Sequence, residues 1–68
     1  MKKNVIPRTA QKMIVKMKIA TTAGAVGETL NAWKDFNGWH GKNENGETFF
    51  LFLSMLRNAE ICDIKIIA

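Results

Sequence analysis

Hydrophobic and polar residues alternate over two segments of this 68-residue chain, one near each end. The first segment, 12–20, places four apolar residues on one face and sets two lysines on the other face with Ile14. The second segment, 61–67, alternates in the same way, with Asp63 and Lys65 together on its polar face. Because a strand points successive side chains to opposite faces, both patterns predict half-buried strands.

The segment 25–37 has a different spacing, with apolar residues three and four positions apart, which is typical of an amphipathic helix. Glu28 lies where a carboxylate would complement the dipole of the first turn, and Asn37-Gly38 supplies a left-handed residue on which helices often end. We therefore predict a helix over 25–37. Its core stripe consists of Val26, Thr29, Leu30, Trp33 and Phe36.

A continuous apolar run follows and begins at Phe49. It predicts a strand over 48–56, and the preceding Asn45-Gly46 pair predicts a tight hairpin turn to a strand over 39–43. A two-residue turn at this position would set Glu44 opposite Glu47 and Trp39 across from Phe52. In the alternative interpretation, 48–59 is a second helix.

These elements together predict an α+β two-layer sandwich in which one helix packs on a small, mostly antiparallel sheet. Residues 1–11 are polar and contain the sole proline, so we expect a flexible basic lead-in before a single α+β domain over 12–68. With a second helix at 48–59, the order of elements would instead be β-α-α-β.

The run from Phe49 would be apolar on both faces of a strand, and a domain of this size buries only roughly 60% of its unfolded surface. One helix can cover one face. We therefore expect a homodimer that buries the opposite face through Phe50, Phe52 and Ile14. The longest apolar run is shorter than the ~20 residues that span a bilayer, so no membrane segment is predicted. Cys62 is the sole cysteine, which favours a reducing, cytoplasmic location.

Positive charge is concentrated near the start of the chain, within a net charge of +4. No acidic residue precedes Glu28. A basic segment of this kind attracts phosphate backbones, although it also serves as a plain solubilising tail. The candidate nucleic-acid contacts are Lys2, Lys3, Arg8, Lys12, Lys16 and Lys18.

Candidate chemistry is sparse. His40 is the sole histidine, and no titratable partner stands at a recognisable catalytic spacing, so we predict no enzyme, no metal site and no cofactor. Aromatic residues interleave with Lys34 and Lys42, a composition that can stack bases and bind phosphates. Helical spacing nevertheless assigns Trp33 and Phe36 to the core.

The sequence thus favours a small non-enzymatic binding module, a regulator or inhibitor that acts by protein-protein contact with a partner whose identity it does not specify. The expected contact residues are Trp39, His40, Asn45, Phe50 and Phe52. The alternative is a sequence-nonspecific DNA- or RNA-binding protein that uses the basic N-terminal segment.

Overall fold

A five-stranded antiparallel sheet is the main element of the structure, a computed structural model that describes residues 3–20 and 25–68. The strands are ordered β4-β3-β2-β1-β5 across the sheet. The predicted α+β sandwich is therefore wrong, because the described residues are mostly β with one short helix. In chain order the elements are β1 (Lys12–Met17), β2 (Thr29–Asp35), β3 (Gly38–Lys42), β4 (Thr48–Leu51), α1 (Leu53–Leu56) and β5 (Cys62–Ile66).

The predicted helix over 25–37 is replaced by strand β2. Leu30 and Ala32 point inward and are buried, whereas Asn31 between them is exposed, so the period is two rather than 3.6. Pairing with β1 sets Leu30 opposite Val15 and Ala32 opposite Met13. These contacts with apolar partners distant in the sequence outweigh the local helical spacing.

The signal that predicted the end of the helix instead marks a hairpin. Asp35 pairs with Gly38 across the two-residue turn Phe36-Asn37, and Gly38 adopts a φ of +118° that favours glycine. Phe36 is 97% exposed at the tip of this turn, so its assignment to the core is wrong. A left-handed glycine suits the end of a hairpin turn as well as the end of a helix.

The turn between β3 and β4 contains three residues, 44–46, rather than two. Gly46 has a φ of +84° and donates its backbone N–H to Asn43 O at 3.1 Å. The buried Asn43 side chain accepts hydrogen bonds from the backbone N–H groups of Asn45 and Glu47 at 3.0 and 2.9 Å. Asn43 therefore lies opposite Glu47, and the register shifts by one residue from the predicted pairing.

The apolar run is divided between two elements. It begins as strand β4, in which Leu51 lies opposite Trp39, the partner predicted for Phe52. The chain leaves the sheet at Phe52 and forms the single turn of α1, which buries Leu56. The predicted strand over 48–56 is thus too long, and the alternative helix over 48–59 begins too early.

The hydrophobic core lies on one face of the sheet. The segment 3–11 and α1 cover this face, with Ala10 and Leu56 fully buried against it. Asn4 joins the two covering parts to the sheet, because its Nδ2 donates to the backbone oxygens of Leu56 and Cys62 at 2.9 Å each. Residues 3–11 therefore contact the rest of the domain through Asn4 and Ala10, whereas the sequence predicts a flexible lead-in before residue 12. The buried sheet residues are Met13, Val15, Met17, Leu30, Ala32, Trp39, Leu51 and Cys62.

Cys62 is buried in this core with a free thiol. Its Sγ lies 3.6 Å from Met55 O and 3.8 Å from Leu56 O, close enough for weak hydrogen bonds. Burial raises the pKa of the Cys62 thiol, and the nearby Asp63 carboxylate raises it further. The thiol is therefore held in its unreactive protonated form.

Candidate functional site

Four aromatic side chains form a continuous line across the face of the sheet opposite the core. Trp33, His40 and Phe50 are register neighbours on β2, β3 and β4, and Phe52 follows two residues after Phe50. The ring centroids are 5.7, 5.6 and 5.1 Å apart in that order. We call these four residues the aromatic row, and this face of the sheet the open face.

Strand alternation places the rings of Trp33, His40 and Phe50 on the open face, and Phe52 contacts Phe50 edge-on just beyond the end of β4. Trp33 follows the inward-facing Ala32, and Phe50 precedes the inward-facing Leu51. The Trp33 and His40 rings are stacked at an interplanar angle of 24°, whereas Phe50 meets His40 edge-on at 80°. Phe50 and Phe52 remain 49% and 64% exposed, so aromatic surface is available to a ligand.

The orientation of His40 is fixed by a carboxylate at the end of β2. His40 Nε2 lies 3.0 Å from Asp35 Oδ1, which also accepts the backbone N–H of Asn37 at 2.8 Å. The hydrogen bond from Asn37 is the main cause that holds the pKa of Asp35 below its usual value, with His40 contributing. Asp35 is thus ionised at neutral pH and anchors one ring of the aromatic row.

Lysines lie beside the Trp33 and His40 part of the aromatic row. Lys12 is the register partner of Trp33, and Lys42 lies two residues beyond His40 on the same face of β3. Two further lysines extend the charge over β1 and β5. The four open-face lysines are Lys12, Lys16, Lys42 and Lys65, all exposed.

Two carboxylates share the open face with these lysines, and one of them, Asp63, is the register partner of Lys16. Asp35 contacts His40, and Asp63 lies 3.6 Å from Lys18 Nζ. Among residues 3–20 and 25–68, no carboxylate oxygen lies within 4.0 Å of an open-face lysine ammonium. These ammonium groups are therefore available to an anionic ligand.

A cavity of about 350 Å³ adjoins the aromatic row at Phe50. It has three cationic lining residues, Arg8, Lys34 and Arg57, and none of its described lining residues is acidic. Lys34 Nζ lies 3.4 Å from the backbone oxygen of Arg8, which holds these two residues together. Phe50 contributes to both the aromatic row and the cavity, which we call the basic pocket. The remaining lining residues are Ile6, Pro7, Gly38, Trp39, Leu51 and Leu53.

The predicted protein contacts do not form one surface. His40, Phe50 and Phe52 come together in the aromatic row, whereas Asn45 lies in the β3–β4 turn, outside it. Trp39 points into the core and is 4% exposed, so the expectation of an exposed anchor at this position is wrong. Trp39 and His40 are adjacent on one strand, so their side chains point to opposite faces of the sheet and only His40 lies on the open face.

The predicted nucleic-acid contacts are also divided. Lys12 and Lys16 lie on the open face, whereas Lys18 donates to Ala59 O at 2.8 Å and is paired with Asp63. Lys3 and Arg8 belong to the segment that covers the core face. Lys2 lies outside the described residues.

Trp33, Lys42 and Lys65 belong to the site although none of them is among the contact residues predicted from the sequence. The helical spacing places Trp33 in the core stripe, and the alternation of 61–67 places Lys65 with Asp63 on the polar face of a strand. The signal that identifies Trp33 is the alternation of the strand: Leu30 and Ala32 are buried on the core face, so residue 33 lies on the opposite, open face.

Other kinds of site receive no support from the described part of the chain. It contains no group of three or more His, Cys, Asp or Glu residues placed to hold a metal ion. No helix within it has the length and hydrophobicity needed to cross a membrane. Comparison with known proteins found no matching family model, no matching curated protein and no matching solved structure.

Proposed function

We propose that the open face binds single-stranded nucleic acid without strong sequence preference, and that the protein is a non-enzymatic binding module. The observation that carries this proposal is the aromatic row with its partly exposed rings. Aromatic side chains on a sheet provide stacking platforms, and every base has a face that can stack on them. Stacking of this kind needs no base-specific hydrogen bonds.

The positions of the lysines support the same proposal. Lys12 and Lys42 flank the aromatic row, so the phosphates of a strand whose bases rest on the rings lie within reach of ammonium groups. In a duplex, the base faces are already stacked on one another and are unavailable to Trp33 or Phe50. The arrangement therefore favours an unpaired strand over a duplex.

We expect binding of a fluorescein-labelled oligothymidylate to weaken steeply with salt. For a single strand, each neutralised phosphate adds about 0.7 to the negative slope of log affinity against log salt concentration. If each of the four open-face lysines neutralises one phosphate, the affinity therefore falls roughly 50-fold between about 50 and 200 mM salt. Fluorescence anisotropy across that range measures the slope. The variant Lys42→Gln should reduce its magnitude by about 0.7.

The matched control for Lys42→Gln is Lys3→Gln, which removes the same charge from the segment that covers the other face. It should leave the salt slope close to that of the unmodified protein. Equal losses in the two variants would mean that net charge, rather than the open face, attracts the strand. Absence of binding at low salt would contradict the proposal itself.

We expect Phe50→Ala to weaken binding of the same oligonucleotide about tenfold, since one stacked base contributes about 1–3 kcal/mol. Phe50 is half-exposed, so its loss should leave the fold intact. Anisotropy titration measures the affinity, and circular dichroism confirms folding. Phe36→Ala removes an equally large exposed ring outside the aromatic row and should bind normally; equal weakening in both variants would contradict the role of the row.

Protein-protein contact is a second candidate function, favoured by the exposed apolar side chains of Phe50, Phe52 and Leu53 at the β4 edge of the sheet. An edge strand can pair with a strand of a partner, including a second copy of this chain in a homodimer. Such a hydrophobic contact responds weakly to salt, which separates it from strand binding. For either function, the free thiol of Cys62 supports a cytoplasmic location.

A further inference from the structure

We infer that the basic pocket receives the terminal phosphate of a single strand bound on the open face. This inference rests on the proposed function and adds to it a preference for one kind of strand end. The pocket adjoins the aromatic row through Phe50, which lines both. A strand that follows the rings toward Phe50 therefore reaches the pocket without leaving the protein surface.

The charge of the basic pocket matches a phosphomonoester better than an internal phosphate. Arg8, Lys34 and Arg57 place three cations around one cavity. An internal phosphodiester carries a single negative charge, whereas a terminal phosphate carries between one and a half and two at neutral pH. Guanidinium groups also hold phosphate oxygens in paired, charge-assisted hydrogen bonds, which makes arginine well suited to this ligand.

The two arginines of the basic pocket are free to take part. Within the described residues, neither Arg8 nor Arg57 has a carboxylate within 4.0 Å, and both side chains belong to exposed residues. The structural contacts of Arg57 are made by its backbone, which bonds to Asn4 and Leu53. Replacement of the Arg57 side chain therefore leaves the packing of the segment 3–11 undisturbed.

The apolar part of the pocket fits the remainder of a terminal nucleotide. Trp39, Leu51 and Leu53 line it together with Phe50. Its volume of about 350 Å³ lies within the range of small-molecule sites, about 300–1,000 Å³. A base or sugar can rest on these side chains while the phosphate faces the cations.

The test compares oligothymidylates of one length that carry a 5′-phosphate, a 3′-phosphate or hydroxyl groups at both ends. We expect one phosphorylated form to bind about tenfold more tightly than the hydroxyl form, as charge-assisted hydrogen bonds to two arginines provide. Arg57→Gln should remove this preference, so that the phosphorylated form loses about tenfold more affinity than the hydroxyl form. Lys65→Gln, on the open face, should weaken all three forms equally and keep the preference.

Each other outcome has a distinct meaning. If the hydroxyl form binds and neither phosphate improves binding, the inference is overturned and the proposed function stands. If no form binds at low salt, both fall. A hydroxyl oligonucleotide that is one nucleotide longer adds a negative charge but no terminal phosphate. If it gains as much affinity as the phosphorylated form does, the inference is also overturned. Inorganic phosphate should compete for the pocket. If it lowers the affinity of the phosphorylated form to that of the hydroxyl form, the result supports the inference.

Discussion

Ala32→Asp is expected to leave the protein largely unfolded. Ala32 is 4% exposed on the core face of β2, between its register partners Met13 and Gly41. An aspartate here would bury a carboxylate without a partner, at a cost of about 3–5 kcal/mol. At about 0.05–0.15 kcal/mol per residue, the whole domain is stabilised by roughly 3–10 kcal/mol. Urea unfolding followed by far-ultraviolet circular dichroism measures the loss.

Asn31→Asp is the matched control, because it introduces the same carboxylate one residue away on the open face. There it is exposed and lies opposite Lys42, so the free energy of unfolding should change by no more than about 0.5 kcal/mol. In a helix over 25–37, residue 32 would instead lie off the apolar stripe. A stable Ala32→Asp variant would therefore favour that helix over strand β2.

The strands that the sequence predicts well are those in which one face alone is apolar. In β1, Met13, Val15 and Met17 point inward and alternate with Lys12 and Lys16, so the pattern reveals both the strand and its buried side. Strand β5 shows the same contrast around Asp63 and Lys65. Alternation of polarity is a strong signal wherever solvent lies on one side.

Strand β2 is not predicted from the sequence because it has an apolar residue on its outward face and a charged residue on its inward face. Trp33 is a large aromatic residue on the open face, and Lys34 is a charged residue on the side of the core. Trp33 belongs to the aromatic row and Lys34 to the basic pocket. The residues that conceal the strand are thus the residues of the candidate site, where local preference is expected to yield to function.

The candidate site itself was partly accessible from the sequence. The sequence predicts His40, Phe50 and Phe52 as contact residues, but their assembly into one row depends on strand register. That register is set by the three-residue turn over 44–46 and by the hydrogen bonds of Asn43, which a two-residue Asn-Gly turn does not include. The fold must be known before these rings can be placed side by side.

Trp39→Ala is expected to lower the free energy of unfolding by about 3–5 kcal/mol, the usual cost of removing a buried tryptophan. Trp39 is almost fully buried, lies opposite Leu51 and lines the basic pocket from the core side. A loss of this size approaches the total stability of the domain, about 3–10 kcal/mol. Urea unfolding of the variant, followed by circular dichroism, measures it.

Trp33→Ala provides the comparison, since it removes the other tryptophan from the open face. Trp33 is half-buried, so the cost in stability should be about 1 kcal/mol, while strand binding should weaken about tenfold with the loss of one stacking surface. Trp39→Ala should also reduce binding, but through unfolding. A Trp39→Ala variant that keeps normal stability and loses binding would place Trp39 in the interface, as the sequence suggested, and would contradict the orientation of β3. Stability and binding must therefore be measured in the same variants. Loss of stability identifies a core tryptophan, and loss of binding without loss of stability identifies a contact tryptophan.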